Sequence, residues 1–158
     1  MRPYGREQLE SLYFEYPKFR APKFNKNKEE AVDVTIVGAG PIGLTAALTL
    51  AKYGVSSVIL EAKDTFNDGS RAICIARQSF HIFDTLGVIN QFTKKALGWT
   101  KGRSFYRGKQ ILEFDMPDSK NQKYRPMYNL EQQYIEKFLH DEAIKQPNID
   151  IRWQSRVE

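Results

Sequence analysis

Residues 38–43 read Gly38-Ala39-Gly40-Pro41-Ile42-Gly43, a G-x-G-x-x-G pattern. The spacing carries chemistry where it follows a strand and opens a helix. Gly38 then permits a tight turn. Gly40 has no Cβ, so the backbone can approach a pyrophosphate, and Gly43 lets helix and strand pack closely. The helix N terminus adds free N–H groups and the positive end of a dipole. Glu61, followed by Ala62, stands 18 residues beyond Gly43. A carboxylate there accepts hydrogen bonds from both ribose hydroxyls of an adenosine and repels a 2′-phosphate. The pair points to FAD or NAD and away from NADP. The plainer alternatives are a structural glycine turn and an exposed strand-end acid.

The elements around these residues supply the context. Val32–Val37 is a β-branched run, by composition a fully buried strand. Pro41 suits a helix start, and residues 42–53 are helical and apolar on most sides, with Gly54 as the stop. Ser57–Leu60 is a second strand ending at Glu61. Strand, turn, helix and strand make a βαβ unit, with parallel strands and a right-handed crossover. Residues 63–72 form a polar loop. Arg77–Leu86 is a helix with Phe80, Phe83 and Leu86 on one face, stopped by Gly87. Residues 103–115 read as a hairpin turning at Gly108–Lys109. Glu131–Lys145 is an amphipathic helix burying Tyr134, Ile135, Phe138 and Leu139. Ile149–Trp153 alternates as a third strand. Residues 1–31 form an extended, aromatic-rich arm with a short helix near Glu7–Phe14, packed on the rest of the chain.

Composition narrows the class. The chain has 158 residues, 41% of them hydrophobic, and carries a net charge of +5. That is too apolar for a disordered tail. The single cysteine excludes a disulfide-stapled domain and a thiolate zinc site. The positive charge is spread out, which argues against nucleic acid as a partner. Val34–Ala51 lacks charge but is broken by glycines and a proline, so it is no membrane span. The start, MRPYGREQLE, lacks an apolar secretory core, which leaves the cytoplasm as the default compartment. Cys74 reads as buried filler, His81 and His140 as surface helix residues, and Tyr128 and Trp99 as packing groups. No metal site is expected.

The run VDVTIVGAGPIGLTAALTLAKYG…VILE, followed by GSRAICIARQSFHIFDTLG and YNLEQQYIEKFL, resembles the FAD-dependent aromatic-ring monooxygenases. These are single-component hydroxylases of para-hydroxybenzoate, phenol and 3-(3-hydroxyphenyl)propionate type. The resemblance covers Val32 to the C-terminus and implies an α/β, Rossmann-like FAD-binding fold in three layers, with an incomplete parallel sheet and a small β-hairpin. It places the FAD-binding domain at 32–158. It also implies that Gly38, Ala39, Gly40, Pro41, Ile42 and Gly43 form the pyrophosphate loop and that Glu61 and Ala62 meet the ribose. Ser70, Arg71 and Ala72 form the segment along the ribityl–pyrophosphate region. Gln132 is the glutamine near the ribityl chain, with Gln133 as fallback, because Glu136 follows Gln132 at the family's spacing. Fork-like bonding of phosphate by a permanent cation suits Arg71.

The family's later Asp-Gly and Gly-Asp segments are not found here. The expectation is therefore an N-terminal piece of a longer enzyme that holds FAD weakly alone and hydroxylates nothing, since it cannot shield the flavin from water. A three-strand layer would also leave the far edge of its central strand unpaired. The complete enzyme would take NADH or NADPH, O₂ and a small aromatic substrate, without membrane attachment; a homodimer is left open. No catalytic base is visible. Two other readings stay open: another FAD- or NAD-dependent oxidoreductase, against which Arg71 and the Gln132 helix weigh, and a non-catalytic Rossmann-like module.

Overall fold

The computed structural model describes residues 14–23, 30–68 and 74–158. Ser70, Arg71 and Ala72, and the short helix near Glu7–Phe14 except Phe14 itself, lie outside the described residues. A parallel sheet is built from β1 (Val34–Val37), β2 (Ser57–Leu60) and β8 (Ile149–Arg152), in the order β1-β2-β8. The register pairs Val34 with Ser57 and Ser57 with Ile149. Helix α1 (Pro41–Lys52) links β1 to β2 and packs on α4 (Gln132–Ala143), which leads into β8. The expected α/β class with a parallel sheet is the one observed.

Two expectations about the sheet need correction. The first strand is not fully buried: its residues alternate between half-buried and exposed, and Val37 is 68% exposed. Nor is the central strand left with an unpaired edge: it pairs with β1 on one side and β8 on the other, and β1 is an edge. β2 holds the centre, so Ser57, Val58 and Ile59 are the buried strand residues. A β-branched run reports strand propensity, but which strand is flanked on both sides is a matter of topology.

A second, antiparallel sheet joins β3 (Cys74–Ala76), β7 (Met127–Asn129) and β4 (Leu97–Trp99), with β7 central. Helices α2 (Arg77–Thr85) and α3 (Ile89–Lys95) connect β3 to β4. Phe80 of α2 stacks on Tyr128 at 3.7 Å and Phe83 on Phe92 at 4.2 Å between ring centroids. Tyr128 is thus a packing group, as expected. Trp99 is half-buried and its indole N–H donates to Asn129 Oδ1 at 2.9 Å. Phe80, Phe92, Leu44, Ile59 and Leu139 are the largest fully buried side chains.

The hairpin comprises β5 (Lys101–Tyr106) and β6 (Lys109–Asp115). Its turn is one residue earlier than expected, at Arg107 and Gly108, both with positive φ (49° and 77°). Two such residues in sequence match the twist of the flanking strands. Cys74 is exposed, not buried, because β3 alternates and turns only Ile75 inward. His140 is 6% exposed, not a surface residue, while His81 is half-buried with its ring edge-on to Tyr124. No helix among the described residues is long and apolar enough to cross a membrane.

Candidate cofactor-binding site

The glycine turn forms at the C-terminal end of β1. Gly38 adopts φ +100°, a conformation costly for a side-chain-bearing residue, and its N–H donates to Leu60 O at 2.8 Å. Gly43 is fixed by close approach: a Cβ there would lie 2.0 Å from the Gly38 carbonyl oxygen and 3.2 Å from Ile36 Cγ2. Gly40, at the N-cap of α1, is the opposite case. A Cβ there would meet nothing within 4 Å. Pro41 occupies the first helical position, where its missing N–H costs nothing. No side chain caps the helix and no acidic residue sits in its first turn. That helix end is suited to an anion.

Glu61 lies at the end of the central strand and its position is over-determined. Its N–H donates to Arg152 O at 2.9 Å, and its carbonyl accepts from Ser155 N–H at 2.8 Å. Its carboxylate accepts the N–H of Ala39 at Oε2 (2.8 Å) and of Lys63 at Oε1 (2.9 Å). The acid and the glycine turn are therefore one unit, although 22 residues separate Glu61 from Ala39. Each oxygen keeps a further lone pair for an incoming hydroxyl.

A cleft of about 210 Å³ opens between these parts. Ala39, Gly40 and Glu61 line one side, Gln132 and Glu136 of α4 another. Lys63, Thr65, Asn67 and Trp153 complete it. The Gln132 side-chain amide donates to Glu136 Oε1 at 2.7 Å, leaving its own oxygen available. Glu136 is 3% exposed and its second oxygen accepts the Asn67 N–H at 2.7 Å. It ties the head of α4 to the loop after β2. Thr65 Oγ1 is buried in the wall and has no partner.

The structure brings Ala39, Gly40, Glu61 and Gln132 to one cleft. Pro41, Ile42 and Gly43 sit beside it in the first turn of α1, with Ile42 84% exposed. Ala62 is exposed and is not among the cleft residues. Gln132, and not Gln133, lines it; Gln133 Oε1 is buried without a partner. Sequence reasoning passed over Lys63, Thr65, Asn67 and Trp153, which no motif marks. Glu136 was visible only as the residue one helical turn beyond Gln132. A larger hollow of about 560 Å³ lies over Asp118–Arg125 and contains none of the expected residues.

Comparison with known proteins gives this cleft a context. Residues 31–158 match the FAD binding domain family. The chain is 30% identical over 131 residues to para-nitrophenol 4-monooxygenase of Pseudomonas sp. (strain WBC-3), an alignment covering 79% of this chain and 32% of that protein. It is 29% identical over 132 residues to the 3-(3-hydroxy-phenyl)propionate/3-hydroxycinnamic acid hydroxylase of Mycobacterium sp. (strain JLS), covering 79% and 22%. Among solved structures, p-nitrophenol 4-monooxygenase PnpA from Pseudomonas putida DLL-E4 superposes with TM-score 0.69 at 27% identity, covering 78% of this chain and 32% of that one. The flavin-dependent monooxygenase PieE, solved with FAD and substrate, shares the fold at TM-score 0.66 and 24% identity, covering 78% and 24%. The chain thus spans about a third or less of the length of these relatives. From residue 31 to residue 158 it belongs to the FAD binding domain family.

Proposed function

We propose that this chain supplies the FAD-holding part of a flavin-dependent monooxygenase that hydroxylates a phenolic or related aromatic compound with NADH or NADPH and O₂. The observation that carries the proposal is the convergence of an uncapped helix N terminus, an open glycine position and a fixed carboxylate on one cleft. Those are the features an adenosine diphosphate needs. The residues fit the group: the space beyond Gly40 would receive the pyrophosphate, Glu61 the ribose hydroxyls, and the free amide oxygen of Gln132 a further hydroxyl. Ser70, Arg71 and Ala72 are assigned to the phosphates by resemblance alone. The names of the aligned relatives support the reaction class.

FAD, when bound, passes electrons from the reduced nicotinamide to O₂. Overall, ArH + NAD(P)H + H⁺ + O₂ gives ArOH + NAD(P)⁺ + H₂O. This chain's own residues bind and orient. The first turn of α1 offsets phosphate charge, and Glu61 fixes the adenosine end through paired oxygens. Glu136 aims the Gln132 amide. Cytoplasmic residence fits a reaction fed by nicotinamide cofactors.

Titration of the full chain with FAD, followed by flavin fluorescence, tests the site. Saturable binding is expected, weakened about tenfold or more in Glu61→Ala, the worth of a charged hydrogen-bond acceptor. Equal affinity in the variant refutes the ribose role, and no binding by the parent chain refutes an FAD site that works in this chain alone.

A further inference from the structure

The family match begins at residue 31, yet the segment 14–23 touches the cleft's supporting wall. Residues alternate along the loop after β2. Glu61, Lys63, Thr65 and Asn67 line the cleft. Asp64 and Phe66, between them, serve the arm. The Phe19 N–H donates to Asp64 O at 2.8 Å, and Lys18 Nζ meets Asp64 Oδ2 at 2.8 Å. Phe66 is 2% exposed and has Phe14 and Phe19 edge-on at 6.2 and 5.4 Å. Trp153, itself a cleft residue, stacks on Phe19 at 4.1 Å and 13°. The Gln154 side-chain amide closes the arrangement by donating to Phe19 O at 2.8 Å.

We infer that the arm, through Phe19, is a positioning element for the cofactor cleft: it braces the back of loop 61–67 so that the front holds the adenosine end of FAD. The inference rests on the FAD reading of that cleft. The ends of this loop are tied by Glu61 to the strand that follows α4 and by Asn67 to Glu136, which leaves its middle, around Asp64 and Phe66, to be held from the other side. On the opposite side the arm gives the loop a backbone hydrogen bond and an ion pair at Asp64 and edge-on rings at Phe66, while Trp153 and Gln154 anchor Phe19 itself beside it. Pre-organisation of this kind raises affinity by removing the ordering cost from the binding step.

The test compares the parent chain with Phe19→Ala, Gln154→Ala and the ring-retaining Phe19→Tyr. Amide hydrogen exchange is measured on the FAD-free chain, and FAD affinity by fluorescence titration. In Phe19→Ala, amides of residues 61–67 should exchange about tenfold faster while those of α1 and β2 keep their rates. FAD affinity should fall about three- to tenfold, the worth of one aromatic pair. Gln154→Ala should move both in the same direction by less, and Phe19→Tyr should restore both. Unchanged exchange in 61–67 overturns the inference. So does faster exchange throughout the chain, which marks general destabilisation, or faster loop exchange with FAD affinity intact. If the parent chain takes up no FAD, the reading of a site that works in this chain alone fails, and the exchange rates then decide whether the arm braces the loop.

Discussion

Replacing Gly43 with alanine separates packing from binding within one six-residue turn. The added Cβ would sit 2.0 Å from the Gly38 carbonyl oxygen and 3.2 Å from the carbon of that carbonyl. Both are backbone atoms, so no side chain can rotate to relieve the overlap. Ordinary carbon–oxygen contact begins more than 1 Å farther out, at about 3.3 Å. Helix α1 must therefore move off β1 or the turn must deform. Overpacking of this kind costs about 3 kcal/mol at the upper end of its usual range. Alanine returns about 1 kcal/mol through its better helix propensity. The net loss is about 2 kcal/mol, a fall in melting temperature of about 4–8 °C for a chain of this length. Gly40→Ala is the control. Its backbone (φ −75°, ψ −177°) suits alanine, and the new Cβ meets nothing within 4 Å. It should melt within about 3 °C of the parent, the cost of a poorer N-cap. Its FAD affinity should nevertheless fall at least about tenfold, because the Cβ occupies the space assigned to pyrophosphate. Thermal melts of the FAD-free chains and fluorescence titrations supply both numbers. A Gly43→Ala chain that melts with the parent refutes the close-packing argument, and a Gly40→Ala chain that binds FAD normally refutes the phosphate assignment.

Two more outcomes follow from buried polar groups. Glu136→Ala leaves the Asn67 N–H and the Gln132 amide without their carboxylate. It should cost about 1–3 kcal/mol in urea unfolding, whereas Gln132→Ala, at the cleft's edge, should cost less; the reverse order would refute Glu136 as the tie. His140 lies among Phe19, Phe66 and Trp153, and burial holds its pKa below the ordinary 6.5 against the opposing pull of Asp141. The unfolded chain then takes up a proton near pH 6.5 that the folded chain refuses. This contribution is fully present above about pH 6.5 and is lost as pH falls toward the depressed value. Urea midpoints should drop between pH 7 and 5, and His140→Phe should flatten that slope. An identical slope in the variant would assign it to other groups.

The legible parts of the chain were those with a long pattern or a single motif. β2 ends where its apolar run ends, and α4 buries Tyr134, Ile135, Phe138 and Leu139 as their spacing requires. Strands β3, β4 and β7 have three residues each, too few to show a period. β1 has the composition of a buried strand but an edge position, and only pairing decides that. His140 was readable in principle, since it falls one turn beyond Glu136 on the face that α4 buries. The glycine turn and Glu61 stood out by motif spacing and Gln132 by the family resemblance, and the structure brings Ala39, Gly40, Glu61 and Gln132 to one cleft. Lys63, Thr65, Asn67 and Trp153 did not stand out, because they reach the cleft from a loop and a strand end that carry no motif, and only the tertiary fold brings them together.

The edge position of β1 has a further consequence. Among the described residues its outer side has no neighbouring strand, and Val37 is largely exposed. A row of unused N–H and C=O groups is a template for another strand. The strand that delivers the glycine turn is then also one that a further strand could join. Such pairing would clamp Val37 and, next to it, Gly38. Were the joining strand that of a second copy, self-association and nucleotide affinity would be thermodynamically linked through the four residues of β1. An apparent FAD affinity that drifts with protein concentration would be the signature, and a constant affinity across a hundredfold range would show the edge to be inert.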